Sequence, residues 1–90
     1  MVQREITDVR LAYGLEQIRH SFKRRMEKHG TKTLNSVHEG LGIALEEWDE
    51  LKDAVRTNDS DQIRREALDV IVSCLLIVST LDGEEVAKHG

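Results

Sequence analysis

The stretch from Val70 to Leu81, "VIVSCLLIVSTL", limits what this chain can fold into more than any other. Wound as a helix at about 100° per residue, Val70, Ile71, Cys74, Leu75, Ile77 and Val78 take up most of its circumference. The remainder is a narrow strip carrying Gln62, Arg65, Glu66, Asp69, Ser73 and Thr80, with Leu76 among them. A helix apolar nearly all round has to be covered on several sides. It is too short for a membrane span of about 20 residues, so protein must supply the cover. A chain of 90 residues makes one domain, and alone it would bury only about 60–65% of its unfolded surface. The expectation is an all-α fold, antiparallel helices forming a bundle completed by oligomerisation into a dimer or tetramer.

The rest of the chain supplies about three helices in a single domain, 1–90. There is no proline, and aromatic residues make up 3% of the chain, which disfavours a sheet protein. In "KHGTKTLNS", Gly30 can end a helix in a left-handed conformation, and the Thr, Asn and Ser that follow can cap the next. In "RTNDSDQ", Asn58, Asp59 and Ser60 favour a turn and a new N-cap. The predicted helices are roughly 3–29, 35–56 and 60–81, with Gly14 as a possible break and the tail from Asp82 frayed or a short appendage. In the second, Val37, Leu41, Ala44, Leu45, Trp48, Leu51 and Val55 form one apolar stripe. Gly40 and Gly42 each cost that helix about 1 kcal/mol relative to Ala, which suggests close packing against another helix or a ligand.

Charge and cysteine usage exclude several classes. A net charge of −4 argues against binding a nucleic-acid polymer, which needs a dominant basic surface, but not against a small phosphorylated ligand. "MVQREITDVR" has no apolar export region, and a lone Cys74 in an apolar helix fits a reducing cytoplasm. Trp48 and Phe22 read as packing residues before base-stacking ones, and His38 and Glu39 as the start of the second helix before substrate contacts.

Two acidic pairs stand out against this background. Glu47 and Glu50 lie about 60° apart on the second helix, with Glu47 at the border of its apolar stripe, while Glu66 and Asp69 lie on the polar strip of the third. In antiparallel helices joined near residues 57–60, both pairs fall at the same height above the turn. Four converging carboxylates raise one another's pKa unless a cation lies between them, and a hard divalent ion such as Mg²⁺ or Mn²⁺ prefers such oxygen ligands. The plainer alternative is a solvated face in which Lys52, Arg56, Arg64 and Arg65 pair with these acids.

The pattern resembles the MazG-like family of all-α nucleoside triphosphate pyrophosphohydrolases, whose signature is E-x-x-E, often E-E-x-x-E, followed on the next helix by E-x-x-D. Here "EEWDE" and "EALD" supply Glu46, Glu47, Glu50, Glu66 and Asp69, and the preceding "KHGTKTLNSVHEG" looks like short members of the family; the likeness spans about residues 20–80. The resemblance implies Mg²⁺ on Glu47, Glu50, Glu66 and Asp69. It makes Glu46, Glu47 and Glu50 the catalytic acids, with Glu46 auxiliary, and hydrolysis of a (deoxy)nucleoside triphosphate to the monophosphate and pyrophosphate the reaction. Lys23, Arg24, Lys28 and Arg65 are then the candidates for the phosphates. The chain lacks the Asn or Tyr that many members carry one or two turns after the last acid, so base choice stays open. The phosphoribosyl-ATP pyrophosphatases share the layout, but their K-K-x-G-E-E entry is replaced by "GIALEE". A noncatalytic helical interaction module is the rival from outside enzymology.

Overall fold

A computed structural model describes residues 2–89, and the side chains of residues 2–81. It is all-α, with α1 (Asp8–His29), α2 (Val37–Thr57) and α3 (Ser60–His89) and no strand among the described residues.

Each helix end has a local cause. The Thr7 side chain accepts the Arg10 N–H at 3.2 Å, which starts α1 at Asp8 and leaves residues 3–7, expected to be helical, outside it. Gly14 does not interrupt α1, which closes at Gly30. There the backbone has φ 95° and ψ 168°, a conformation glycine adopts without strain, and its N–H donates to the Met26 carbonyl at 2.8 Å. The Ser36 hydroxyl accepts the Glu39 N–H at 3.2 Å while the Glu39 carboxylate accepts the Asn35 N–H at 3.1 Å. This reciprocal cap gives Glu39 a structural task. Asn58 ends α2 in the left-handed region at φ 59°, and the next residue, Asp59, opens α3 by accepting the N–H groups of Asp61 at 3.0 Å and Gln62 at 3.2 Å. Two adjacent residues thus stop one helix and start the next, which folds α2 and α3 into an antiparallel pair. α3 continues to His89 instead of ending near residue 81. No proline follows Leu81, and a single Gly83 costs only about 1 kcal/mol.

α2 and α3 make the main packing contact, and α1 lies against α3 without close backbone approach to α2. The hairpin closes around Gly40. A Cβ there would sit 2.6 Å from Ile77 Cγ1 and 2.7 Å from Leu34 Cδ1, whereas one at Gly42 would meet open space. Close packing therefore explains Gly40 and not Gly42. The Leu34 N–H donates to Thr80 Oγ1 at 3.1 Å, tying the α1–α2 connection to α3. Gly40→Ala is expected to lower stability by about 1 kcal/mol net, overpacking outweighing the better helix propensity, and Gly42→Ala to raise it by up to about 1 kcal/mol. Thermal unfolding of the two variants should show shifts of opposite sign.

The interior is small. Among the residues whose side chains are described, only Ala54, Val72 and Leu76 are buried apolar side chains, α1 contributes none, and no large side chain is wholly enclosed.

Candidate metal centre

The α2–α3 turn sets the acids opposite one another. Glu47 and Glu50 descend α2 toward the turn, Glu66 and Asp69 climb α3 away from it, and one oxygen from each of the four lies within 4.8 Å of the others. Oxygens on opposite sides of a Mg²⁺ ion are about 4.2 Å apart, so modest side-chain rotation brings the set to bonding distance.

Burial makes this arrangement unfavourable for bare charge. Glu47 and Glu66 are half-buried, and each keeps one oxygen, Oε2, away from solvent with no hydrogen-bond donor. Such an orphaned acceptor costs about 1–3 kcal/mol, more for a charged group. Burial pushes the Glu47 carboxyl up from 4.5 to about 7, reinforced by the charges of Glu50, Asp69 and Glu66. The Glu66 carboxyl is raised by burial and then by Glu50 and Asp69, with Arg65 opposing. Asp69 is also raised, by burial and by Glu50, against the lowering influence of Arg65 and Arg24.

The cations do not quench the cluster. Lys52 pairs with Asp49 at 3.2 Å, Arg56 with Asp53 at 3.5 Å and Arg64 with Asp61 at 3.0 Å. Each is a neighbour on the same helix, and no ion pair among the described residues reaches Glu47, Glu50, Glu66 or Asp69. The solvated-face alternative thus accounts for Asp49, Asp53 and Asp61. It does not account for the four. Two shielded oxygens without donors, in a set of four hard ligands, are what a divalent cation would satisfy.

Beside the acids, α1, α2 and α3 enclose a cleft of about 820 Å³, within the ~300–1,000 Å³ range of small-molecule sites. Glu47 and Asp69 line it together with Arg24, Arg25, Lys28 and Arg65. Lys23 and Glu46 are exposed and do not line the cleft. Arg25 was not singled out from sequence, although one turn of helix places it with Ser21 and Lys28, on the side α1 turns to α3. Its signal was present in "KRRMEK", but the register of α1 against α3 decides which of four basic residues points inward. Neither Phe22 nor Trp48 lines the cleft, and Ser73 Oγ donates to the Asp69 carbonyl at 2.8 Å, so it is already committed.

No protein-family model matches the chain. Comparison with curated proteins gives no match, and comparison with solved structures gives none either. The functional reading therefore stands on the chain's own residues.

Proposed function

We propose that this chain is a Mg²⁺-dependent hydrolase of (deoxy)nucleoside triphosphates, releasing the monophosphate and pyrophosphate, acting in the cytoplasm as a homo-oligomer. One observation carries the reading: a four-carboxylate cluster with two orphaned oxygens borders, through Glu47 and Asp69, a cleft that Arg24, Arg25, Lys28 and Arg65 also line. Arg24 and Arg65 act on Asp69 without forming an ion pair with it, which leaves both signs of charge open to a ligand needing both a metal and cations.

Glu47, Glu50, Glu66 and Asp69 would hold Mg²⁺, or Mn²⁺ in its place. When bound, such an ion neutralises phosphate charge and makes water a better nucleophile at neutral pH. The residues of the chain do the rest. Arg24, Arg25, Lys28 and Arg65 offer N–H donors to the phosphate oxygens and orient the chain of phosphates across the cleft. Glu47, which lines the cleft, would also be the carboxylate to accept a proton from attacking water. The acidic pairs, which resemble those of MazG-like enzymes, support the same reaction class.

The test is pyrophosphate release from a panel of ribo- and deoxyribonucleoside triphosphates, with Mg²⁺ and with EDTA, for wild type and Glu50→Gln. Release that needs metal and disappears in the variant is expected. No release from any triphosphate, with no thermal response to Mg²⁺ or Mn²⁺, would reject the enzyme in favour of an interaction module. A metal response without release would direct the search to another phosphorylated substrate, phosphoribosyl-ATP first.

A further inference from the structure

The wall that α2 and α3 give the cleft changes character at the acids. Glu47 and Asp69 lie at one height on the antiparallel pair, with an oxygen of each within 4.8 Å of the other. One turn further from the α2–α3 connection the lining is Ile43, Val72 and Ser73, which carry no charge. One turn nearer to the connection it is Arg65 and Arg64, with Asp61 beyond them. The hairpin thus offers an uncharged end and a cationic end, and the acids stand between them.

That order suits a nucleotide lying in one direction. Under the proposed function, on which this step rests, the bond after the first phosphate is broken, so that phosphate sits at the acids. The nucleoside then takes the uncharged end, and the other two phosphates extend toward the α2–α3 connection. Arg65 is four residues before Asp69, on the same helix face, and its charge reaches the carboxyls of both Glu66 and Asp69. Arg64 is five residues before Asp69, about 7.5 Å away along the axis, where the outermost phosphate arrives. Its guanidinium is engaged by the Asp61 carboxylate at 3.0 Å, and both side chains are exposed. The other ion pairs among the described residues, Asp49–Lys52 and Asp53–Arg56, have the same three-residue spacing, but none of their members lines the cleft.

We infer that Arg64 reads the third phosphate of a nucleoside triphosphate, and that Asp61 holds its guanidinium at the cleft until that phosphate displaces the carboxylate. An exposed pair within one helix contributes little to stability and is easily given up. A guanidinium on a phosphate is charge-assisted and often bidentate, so the exchange favours the ligand. The two residues make the site sensitive to phosphate number. A diphosphate ends at Arg65 and leaves the Asp61–Arg64 pair intact, whereas a triphosphate replaces it.

Titration calorimetry of the whole chain with Mg²⁺ tests this, using the α,β-methylene triphosphates and diphosphates of adenosine, guanosine, cytidine and uridine, whose bridging carbon blocks cleavage. Arg64→Gln is expected to weaken the best-bound triphosphate about tenfold, the value of one charge-assisted hydrogen bond, and the diphosphate of the same nucleoside by less than about twofold. Asp61→Asn should tighten the triphosphate about twofold, by releasing Arg64, and should have no effect once Arg64→Gln is also present. Arg56→Gln, which breaks the matched pair away from the cleft, should change neither ligand. Asp61 and Arg64 are exposed, so these variants keep the fold. Equal losses for triphosphate and diphosphate in Arg64→Gln, no loss for either, or a gain from Asp61→Asn that persists without Arg64 would overturn the inference and leave the hydrolase reading standing. A wild-type chain that binds none of these nucleotides would overturn both.

Discussion

Glu47→Gln is expected to lower triphosphate hydrolysis by at least ~100-fold while making the metal-free protein more stable. Losing a residue that merely supports a metal ligand costs about 10–100-fold, so losing a ligand should cost more. The gain in stability has a separate cause. Glu47 is held near 7 in the folded chain against 4.5 unfolded, so at neutral pH and above its charge opposes folding. Full linkage would set this at about 3 kcal/mol. The side chain keeps partial contact with solvent, which reduces the expected gain to about 1 kcal/mol. Asp69→Asn should act in the same two directions, because burial and Glu50 also raise its pKa. Single-turnover hydrolysis and thermal unfolding in EDTA measure both signs. Turnover retained in both variants would remove the site assignment; an unchanged melting temperature would show that the four acids do not strain the fold. Glu46, exposed and off the cleft wall, should be far more tolerant of Gln if its role is only auxiliary.

The second large effect is a metal response that grows with pH. Between pH 4.5 and about 7 the folded chain keeps a proton on Glu47 that the unfolded chain has released. The folded state therefore binds more protons, and the stability of the metal-free protein should fall as pH rises through this window, levelling off above it. Mg²⁺ must displace that proton at pH 6 but not at pH 8, so its affinity should weaken by up to about tenfold per pH unit below 7. At 100 times the dissociation constant, the ion contributes about 2.7 kcal/mol, roughly 10–20 °C in a domain of this size. Calorimetric scans at pH 6 and pH 8, with and without Mg²⁺, should diverge most at the higher pH. Equal shifts at both values would mean that Glu47 is not a ligand.

Much of the fold was legible because it depends on neighbours along the chain. The stops at Gly30 and Asn58 and the starts at Ser36 and Asp59 follow from backbone geometry and side-chain caps within four residues. The convergence of Glu47, Glu50, Glu66 and Asp69 was legible for a related reason: a short turn and a fixed rise per residue determine which positions of two antiparallel helices meet. The start of α1 was not, since Thr7 competes with a run that has no proline or glycine to end it. Nor was the task of Gly42, which shares its helix with Gly40 but faces open space.

What the sequence determined by itself is the helical content, the α2–α3 hairpin and the meeting of four acids, all consequences of local periodicity and one turn. Only the tertiary structure decided the rest. It placed α1 against α3 alone, which selects Arg24, Arg25 and Lys28 over Lys23 for the cleft. It directed Lys52, Arg56 and Arg64 to other carboxylates, leaving two glutamate oxygens without donors. These outcomes depend on how helices rotate and slide against one another. That is settled by packing across the whole chain, which no single segment encodes.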